Sequence, residues 1–345
     1  MTFLSLAARL LINVEALNMV ESIGNVTRHR RATVIITHNG EYRKIEVPAI
    51  SGETLAHAYQ EALVLVAKQI FSGKPPICSW CERGEFFKSM DDAHTMPEVK
   101  QAIGKLKGKD QVRAFEEAVI KNCLVEDIGG FLRAERPPVK RTSLFQIGYM
   151  VPTFDAINAT SLESQFHVRH APSEAVRAER QERAAQMIYY IETGSALYGV
   201  TFNLDIGGIG RTSMIEIKDV LNSEERELRI KTALGALTVL FSSGLFGAKR
   251  TRFLPILDVC SVVAAVSSPV PFTVIPPVTR DFIVQTAEKS TRFNEIMSKL
   301  SVSEDVHVYV YSKEVKELPE NVIEAKSVED LLEKVVDTVL SEGGR

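Results

Sequence analysis

Lys249, Arg250, Thr251 and Arg252 stand together in GLFGAKRTRFLP (244–255), between a helical run and an apolar, strand-like run. A turn between two core elements needs a glycine or two, but it has no use for three cations and a hydroxyl. Three other clusters share this make-up: Arg28-His29-Arg30-Arg31, Lys140-Arg141-Thr142-Ser143, and the group Gln165, His167, Arg169 and His170. Guanidinium, ammonium and hydroxyl donors suit phosphate and sugar oxygens, and glycine loops add backbone N–H groups that approach an anion closely. Ser51-Gly52, at the start of a helix, offers further donors. A single basic quartet is ordinarily a solvated face. Four of them at the junctions of core elements point instead to a sequence-independent clamp on a sugar-phosphate backbone.

The elements that must position these clusters are legible as period-two and helical runs. Residues 2–15 alternate as a strand, with Leu6, Ala8, Leu10, Ile12 and Val14 on one face and Ser5, Arg9, Asn13 and Glu15 on the other. NMVESIGNVTRHRR reads as a loop. TVIITHNGEYRKIEV is a hairpin about Asn39-Gly40, the favoured two-residue turn. Ser51 then caps a helix whose stripe is Leu55, Tyr59, Ala62, Leu63 and Val66. Residues 72–138 are polar and helical and look like an insertion, after which SLFQIGYMVP resumes as a strand. SEAVRAERQERAAQ predicts a solvated helix or projecting hairpin; SALYGVTFNLDI is a strand, SEERELRIKTALGALTVLF a helix and RFLPILDVCSVVAAV a strand. A helix near 281–298, the strand VHVYVY and a helix in SVEDLLEKVVDTVL complete the chain. Without its insertions the order is β-α-β-β-α-β, so the expected class is α+β, ferredoxin-like, with the topology of the RNA-recognition module. The aromatic signature of that module is missing, which argues against ordinary single-strand recognition on an open sheet.

Composition sets the bounds. The 345 residues, 45% hydrophobic, can bury a sizeable core. The apolar start lacks a basic n-region and is broken by Arg9, Asn13 and Glu15, and no apolar run reaches membrane-spanning length, so the expectation is a cytoplasmic chain. A net charge of −3 argues mildly against nucleic-acid binding, yet residues 301–345 hold 11 acidic against 5 basic side chains, leaving residues 1–300 at +3.

The four cysteines do not make a disulfide framework. Cys78-Ser-Trp-Cys81 is half of a zinc knuckle, for which His94 and Cys123 are candidate partners; reduced buried thiols are the alternative. No βαβ context supports a thioredoxin-like role for the pair. GLFGAKRT has the wrong spacing for a nucleotide-binding P-loop, and no helix-turn-helix pattern is visible.

Five segments, ALNMVESIGNVTRHR, VPAISGETLAHAYQ, PPVKRTSLFQIGYMVP, ESQFHVR and GLFGAKRTRFLP, occur in that order over roughly residues 10 to 255. Through them the chain resembles the archaeal branch of the DevR/autoregulator family of CRISPR-associated proteins, the backbone subunit of type I-A Cascade in the RAMP superfamily. The resemblance implies an RNA-recognition-like palm with finger and thumb insertions: palm in 1–71, helical finger in 72–138, palm again in 139–266 with a thumb near 160–190, and a C-terminal α/β extension in 267–345. It implies a non-catalytic protein that self-associates as a helical filament along CRISPR RNA, beside other Cascade subunits, and presents the spacer to target DNA.

The contacts it implies are Gly247, Lys249, Arg250 and Arg252 in the glycine-rich loop, and Asn18, Ser22, Asn25, Arg28, His29 and Arg30 after the first strand. Ser51 and Gly52 would add donors, and Arg141, Thr142, His167 and Arg169 would support the backbone. RAMP relatives also include endoribonucleases that use a histidine, which keeps His29, His57 and His167 open as acid–base groups. A transcriptional autoregulator is the third reading.

Overall fold

The computed structural model describes residues 2–169, 187–303 and 305–342. Its centre is β1 (Phe3–Glu15), which pairs antiparallel with β11 (Met187–Asp205) on one side and β12 (Ile256–Ser268) on the other. β13 (Asp305–Ser312) and β14 (Ile323–Glu324) extend the sheet beyond β12. Beyond β11 lie β8 (Phe145–Ile147), β9 (Val151–Pro152) and β10 (Ser161–Arg169), with the hairpin β2 (Met19–Ile23) and β3 (Val26–His29) at its N-terminal end. This ten-stranded mixed sheet is α+β in class.

Helices cover both faces of the central strands. Leu4, Leu6, Ala8, Leu10 and Ile12 pack under α1 (Gly52–Ile70), α6 (Ser223–Ser243) and α8 (Val328–Glu342). On the opposite face Ala7, Val263, Ala265, Val308 and Val310 pack with Phe272, Val274, Phe282 and Ile283, where α7 (Phe282–Lys299) begins. The helical segment α2 (Ser79–Glu82), α3 (Pro97–Ile103), α4 (Gly108–Asn122) and α5 (Leu124–Gly129) joins the first of these cores through Val99, Phe115, Val119 and Ile128. Two separate two-stranded sheets, β4 (Arg31–His38) with β5 (Glu41–Pro48) and β6 (Phe131–Arg133) with β7 (Val139–Arg141), complete the fold.

Several expectations change. The polar face of β1 is buried: Ser5, Arg9 and Glu15 are each 0% exposed. Arg9 is accommodated because its Nη2 donates to both Asp155 oxygens at 3.0 Å and its Nε donates to Glu314 Oε2 at 2.9 Å. Val14 leaves the core instead, at positive φ where the register breaks between Ile12 and Glu15. The segment read as a loop after β1 is the β2–β3 hairpin, turning at Gly24-Asn25. The strand expected in 143–152 is split into β8 and β9. The charged run after Arg169, with His170, lies outside the described residues, but the antiparallel β10 and β11 run into it from either side. Among the described residues no helix is long and apolar enough to cross a membrane.

Candidate nucleic-acid interface

A cleft of ≈ 510 Å³ opens where three connections meet: the exit of β1, the start of α1 and the loop after α6. Leu17, Asn18, Met19 and Arg30 line it from the first connection, Ser51, Glu53, Thr54, His57 and Glu61 from α1, and Gly247 and Ala248 from the loop. Sequence spacing could not bring these segments together; backbone bonding does. Ala248 N–H donates to Leu17 O at 2.7 Å, Arg30 N–H to Asn18 O at 2.8 Å, and Ser51 N–H to Asn18 Oδ1 at 2.8 Å.

Gly247 makes the approach of the loop feasible. Its φ is +80°, and a Cβ there would lie 2.7 Å from Leu17 Cβ and 2.9 Å from Leu17 O. Gly244 ends α6 in the left-handed conformation, the expected C-cap. Gly52 serves packing as well, since a Cβ would sit 2.6 Å from Ile147 O.

The available cations follow or flank the lining residues in the chain. Lys249 and Arg252 are exposed and Arg250 half-buried, and none of the three forms an ion pair with a described carboxylate. Arg250 Nε is buried without a hydrogen-bond partner. Among the described residues the guanidinium of Arg30, in the cleft lining, reaches only Tyr149 Oη, at 3.4 Å, and Arg28 approaches Glu21 at 3.7 Å. Ser22 and Asn25 are exposed on the β2–β3 hairpin, where Asn25 O accepts from Tyr190 N–H at 2.8 Å. Glu53 and Glu61 lie within the cleft, so its floor is not cationic.

Other expected contacts are occupied inside the fold. His29 is 1% exposed; its Nε2 stands 2.6 Å from Glu15 Oε1 and its Nδ1 2.7 Å from Arg30 O. The Nε2 contact is an ion pair of poor hydrogen-bond alignment. Burial pulls the His29 pKa down, but Glu15, the Arg30 carbonyl and Glu192 more than reverse this and hold it above 6.5. Ser51 is the N-cap of α1, its Oγ accepting from Thr54 N–H at 3.3 Å. Arg141 is 4% exposed and donates to Asp127 Oδ1 and Arg211 O at 2.6 Å, to Asp127 O at 2.7 Å and to Gly208 O at 3.0 Å. Its neighbour Thr142 is exposed.

His167 and the backbone of Arg169 lie on β10. His167 stacks on Tyr189 with centroids 5.2 Å apart and meets Phe253 edge-on at 5.5 Å, which ties β10 to the glycine-rich loop. Phe253 does not stand out in the sequence; its place beside three cations is the available signal. In the helical segment Cys123 closes on Cys78 and Cys81, as expected of a partner, but His94 does not: its Nδ1 is 2.7 Å from Asp91 Oδ1. Glu126 takes the fourth place.

Solved structures share this architecture. A chain of a CRISPR RNA-guided surveillance complex in a pre-nicking state matches with a TM-score of 0.53 at 8% identity, covering 97% of this chain and 99% of that one. Two proteins of Saccharolobus solfataricus are similar in sequence. The CRISPR-associated protein Cas7/Csa2 1 is 39% identical over 81% of this chain and 83% of its own length. The CRISPR-associated aCascade subunit Cas7/Csa2 2 is 37% identical over 95% and 98%. The family model for the CRISPR-associated negative auto-regulator DevR/Csa2 matches residues 6–287, and with relatives this similar over this much of the chain, the protein belongs to the DevR/Csa2 family.

Proposed function

We propose that the chain is a non-catalytic backbone subunit that binds CRISPR RNA. Copies associate along the guide as a helical filament with other Cascade-type subunits in the cytoplasm, and the spacer is left free to pair with target DNA. The observation that carries this reading is the cleft in which the β1 exit, the start of α1 and the glycine-rich loop converge, with Arg30 in its lining and Arg28, Lys249, Arg250 and Arg252 within a few residues of its lining along the chain. Cations without a deep base-shaped pocket suit phosphate and 2′-hydroxyl contacts, which accept any spacer sequence.

The strand order β12-β1-β11, with β8 and β9 beyond β11 and α1 and α6 on one face, supports a ferredoxin-like palm. Residues 72–138 are its finger, and the β10 and β11 arms are the base of its thumb. Because α7 and the segment before it cover the other face of β1, β12 and β13, RNA lies along the rim of the connections rather than on an open sheet.

The test is to express the protein with a CRISPR array and measure the co-purifying nucleic acid and the particle mass. Guide-length RNA in a multi-subunit particle is expected. One observation favours a second reading: His57 lies in the cleft with its Nε2 3.4 Å from Glu61 Oε1. A monomer that cuts repeat RNA, and stops cutting as His57→Ala, would make the protein a processing endoribonuclease.

A further inference from the structure

We propose that Cys78, Cys81, Cys123 and Glu126 form a closed structural site for a divalent, thiophilic metal ion, zinc being the natural occupant. One ligand atom from each lies within 4.8 Å of all the others, and the four residues are 0–6% exposed. A tetrahedral zinc–thiolate site has sulfur atoms about 3.8 Å apart, from a Zn–S bond of about 2.3 Å. Side-chain shifts of less than about an ångström therefore close the observed cluster around an ion.

The backbone presents the ligands as two equally spaced pairs. Cys78 and Cys81 bracket the single turn of α2, where Cys78 caps the helix and its Sγ accepts from Cys81 N–H at 3.4 Å. Cys123 sits at the break between α4 and α5, with Glu126 in the first turn that follows. The pattern is thus C-x2-C and C-x2-E, which hides the second pair from a search for cysteines alone. Leu124 N–H donates to Pro76 O at 2.7 Å and joins the two segments directly beside the cluster.

A second observation points to a ligand. Glu126 is 0% exposed, its Oε2 has no hydrogen-bond partner, and its Oε1 receives only the weak thiol contact from Cys78 at 3.6 Å. The Lys88 ammonium and Ser89 hydroxyl are close by, but Lys88 donates to Gly129 O at 2.9 Å and the buried Ser89 Oγ is itself unpartnered. A buried carboxylate without a strong hydrogen bond is costly; a bound divalent cation removes that cost. Thiolates select zinc over the hard cations that oxygen ligands prefer. With four protein ligands no position stays open, so the ion would fasten the α2 turn to the α4–α5 break rather than perform chemistry.

Elemental analysis of the reduced full-length chain tests this independently of RNA binding. About one zinc per chain is expected. After zinc removal, cobalt(II) should give the intense visible bands of a tetrahedral site and a thiolate charge-transfer band. Cys81→Ser and Cys123→Ser should abolish these bands, Glu126→Gln should weaken cobalt binding at least about tenfold, and His94→Ala should bind as wild type. Circular dichroism identifies any variant that fails to fold, and the wild-type cobalt spectrum decides the matter without the variants. A folded, reduced wild-type chain that takes up neither metal overturns the proposal, as does a disulfide among Cys78, Cys81 and Cys123 in freshly lysed protein or loss of binding in His94→Ala.

Discussion

Arg9, Arg141 and Arg229 are each 4% exposed or less and each lies against carboxylates, whereas Lys249, Arg250 and Arg252 sit on a loop with no described carboxylate paired to them. Both sets are cations within or between core elements, and neither is special by residue type. What separates them is geometry. Asp127 lies between Arg141 at 2.6 Å and Arg229 at 2.9 Å and also accepts from Gly210 N–H, so these guanidiniums are held inside the fold, out of reach of a ligand. Lys249 and Arg252 are exposed on a loop that Gly244 and Gly247 turn at positive φ, while Phe246 is buried and Arg250 is half-buried. The buried arginines are committed to the fold, and the loop cations pair with no described carboxylate.

Breaking the first set should have the largest effect. Asp127→Ala removes the carboxylate that Arg141 and Arg229 share, leaving them Glu116 at 3.7 Å and Glu225 at 2.6 Å, and should cost about 3–5 kcal/mol, read as a large fall in thermal midpoint. A change within experimental error would show that Glu116, Glu225 and the backbone carbonyls hold Arg141 and Arg229 without Asp127. Next is Gly247→Ala, which forces positive φ on a side chain that meets Leu17. It should cost about 1–3 kcal/mol and also weaken RNA binding, because the loop and the β1 exit must separate. Unchanged RNA affinity would detach this contact from the binding surface.

His29 gives a smaller effect with a definite pH dependence. Its pKa in the fold lies above 6.5, so the stabilisation it gives is complete below 6.5 and fades as pH rises through the folded value. The stability gap between wild type and His29→Gln should therefore narrow from about pH 6 to about pH 9, as measured by thermal denaturation. A gap that widens would mean that the Glu15 pairing does not dominate. Arg252→Ala should be smallest in stability, within about 0.5 kcal/mol, while still lowering RNA affinity. A clear loss of stability would place Arg252 with the buried set.

Local signals in the sequence are enough for the hairpin at Asn39-Gly40, the Ser51 cap, the Gly244 cap and the core strand and helix order. Each depends on residues a few positions apart. Arg9 reads as a surface residue because its partners, Asp155 and Glu314, are 146 and 305 positions away. Arg141 and His29 look like ligand donors for the same reason, since Arg211 and Glu192 are far from them in sequence. The β2–β3 hairpin escapes a pattern search because its strands are only five and four residues long. Glu126 does not suggest itself as the fourth member of the cysteine cluster because a lone glutamate on a helix reads as solvated. The clusters at 28–31 and 244–255 are visible from residue type; their meeting in one cleft is not.

The most direct test is the salt dependence of binding to two guide-length RNAs of unrelated sequence, for the wild type and for Lys249→Ala/Arg250→Ala/Arg252→Ala. A backbone clamp predicts equal affinities for the two RNAs and a log–log salt slope that is shallower by about 2 in the variant, at about 0.7 for each phosphate no longer neutralised. An unchanged slope, or failure to bind one RNA alone, would contradict it.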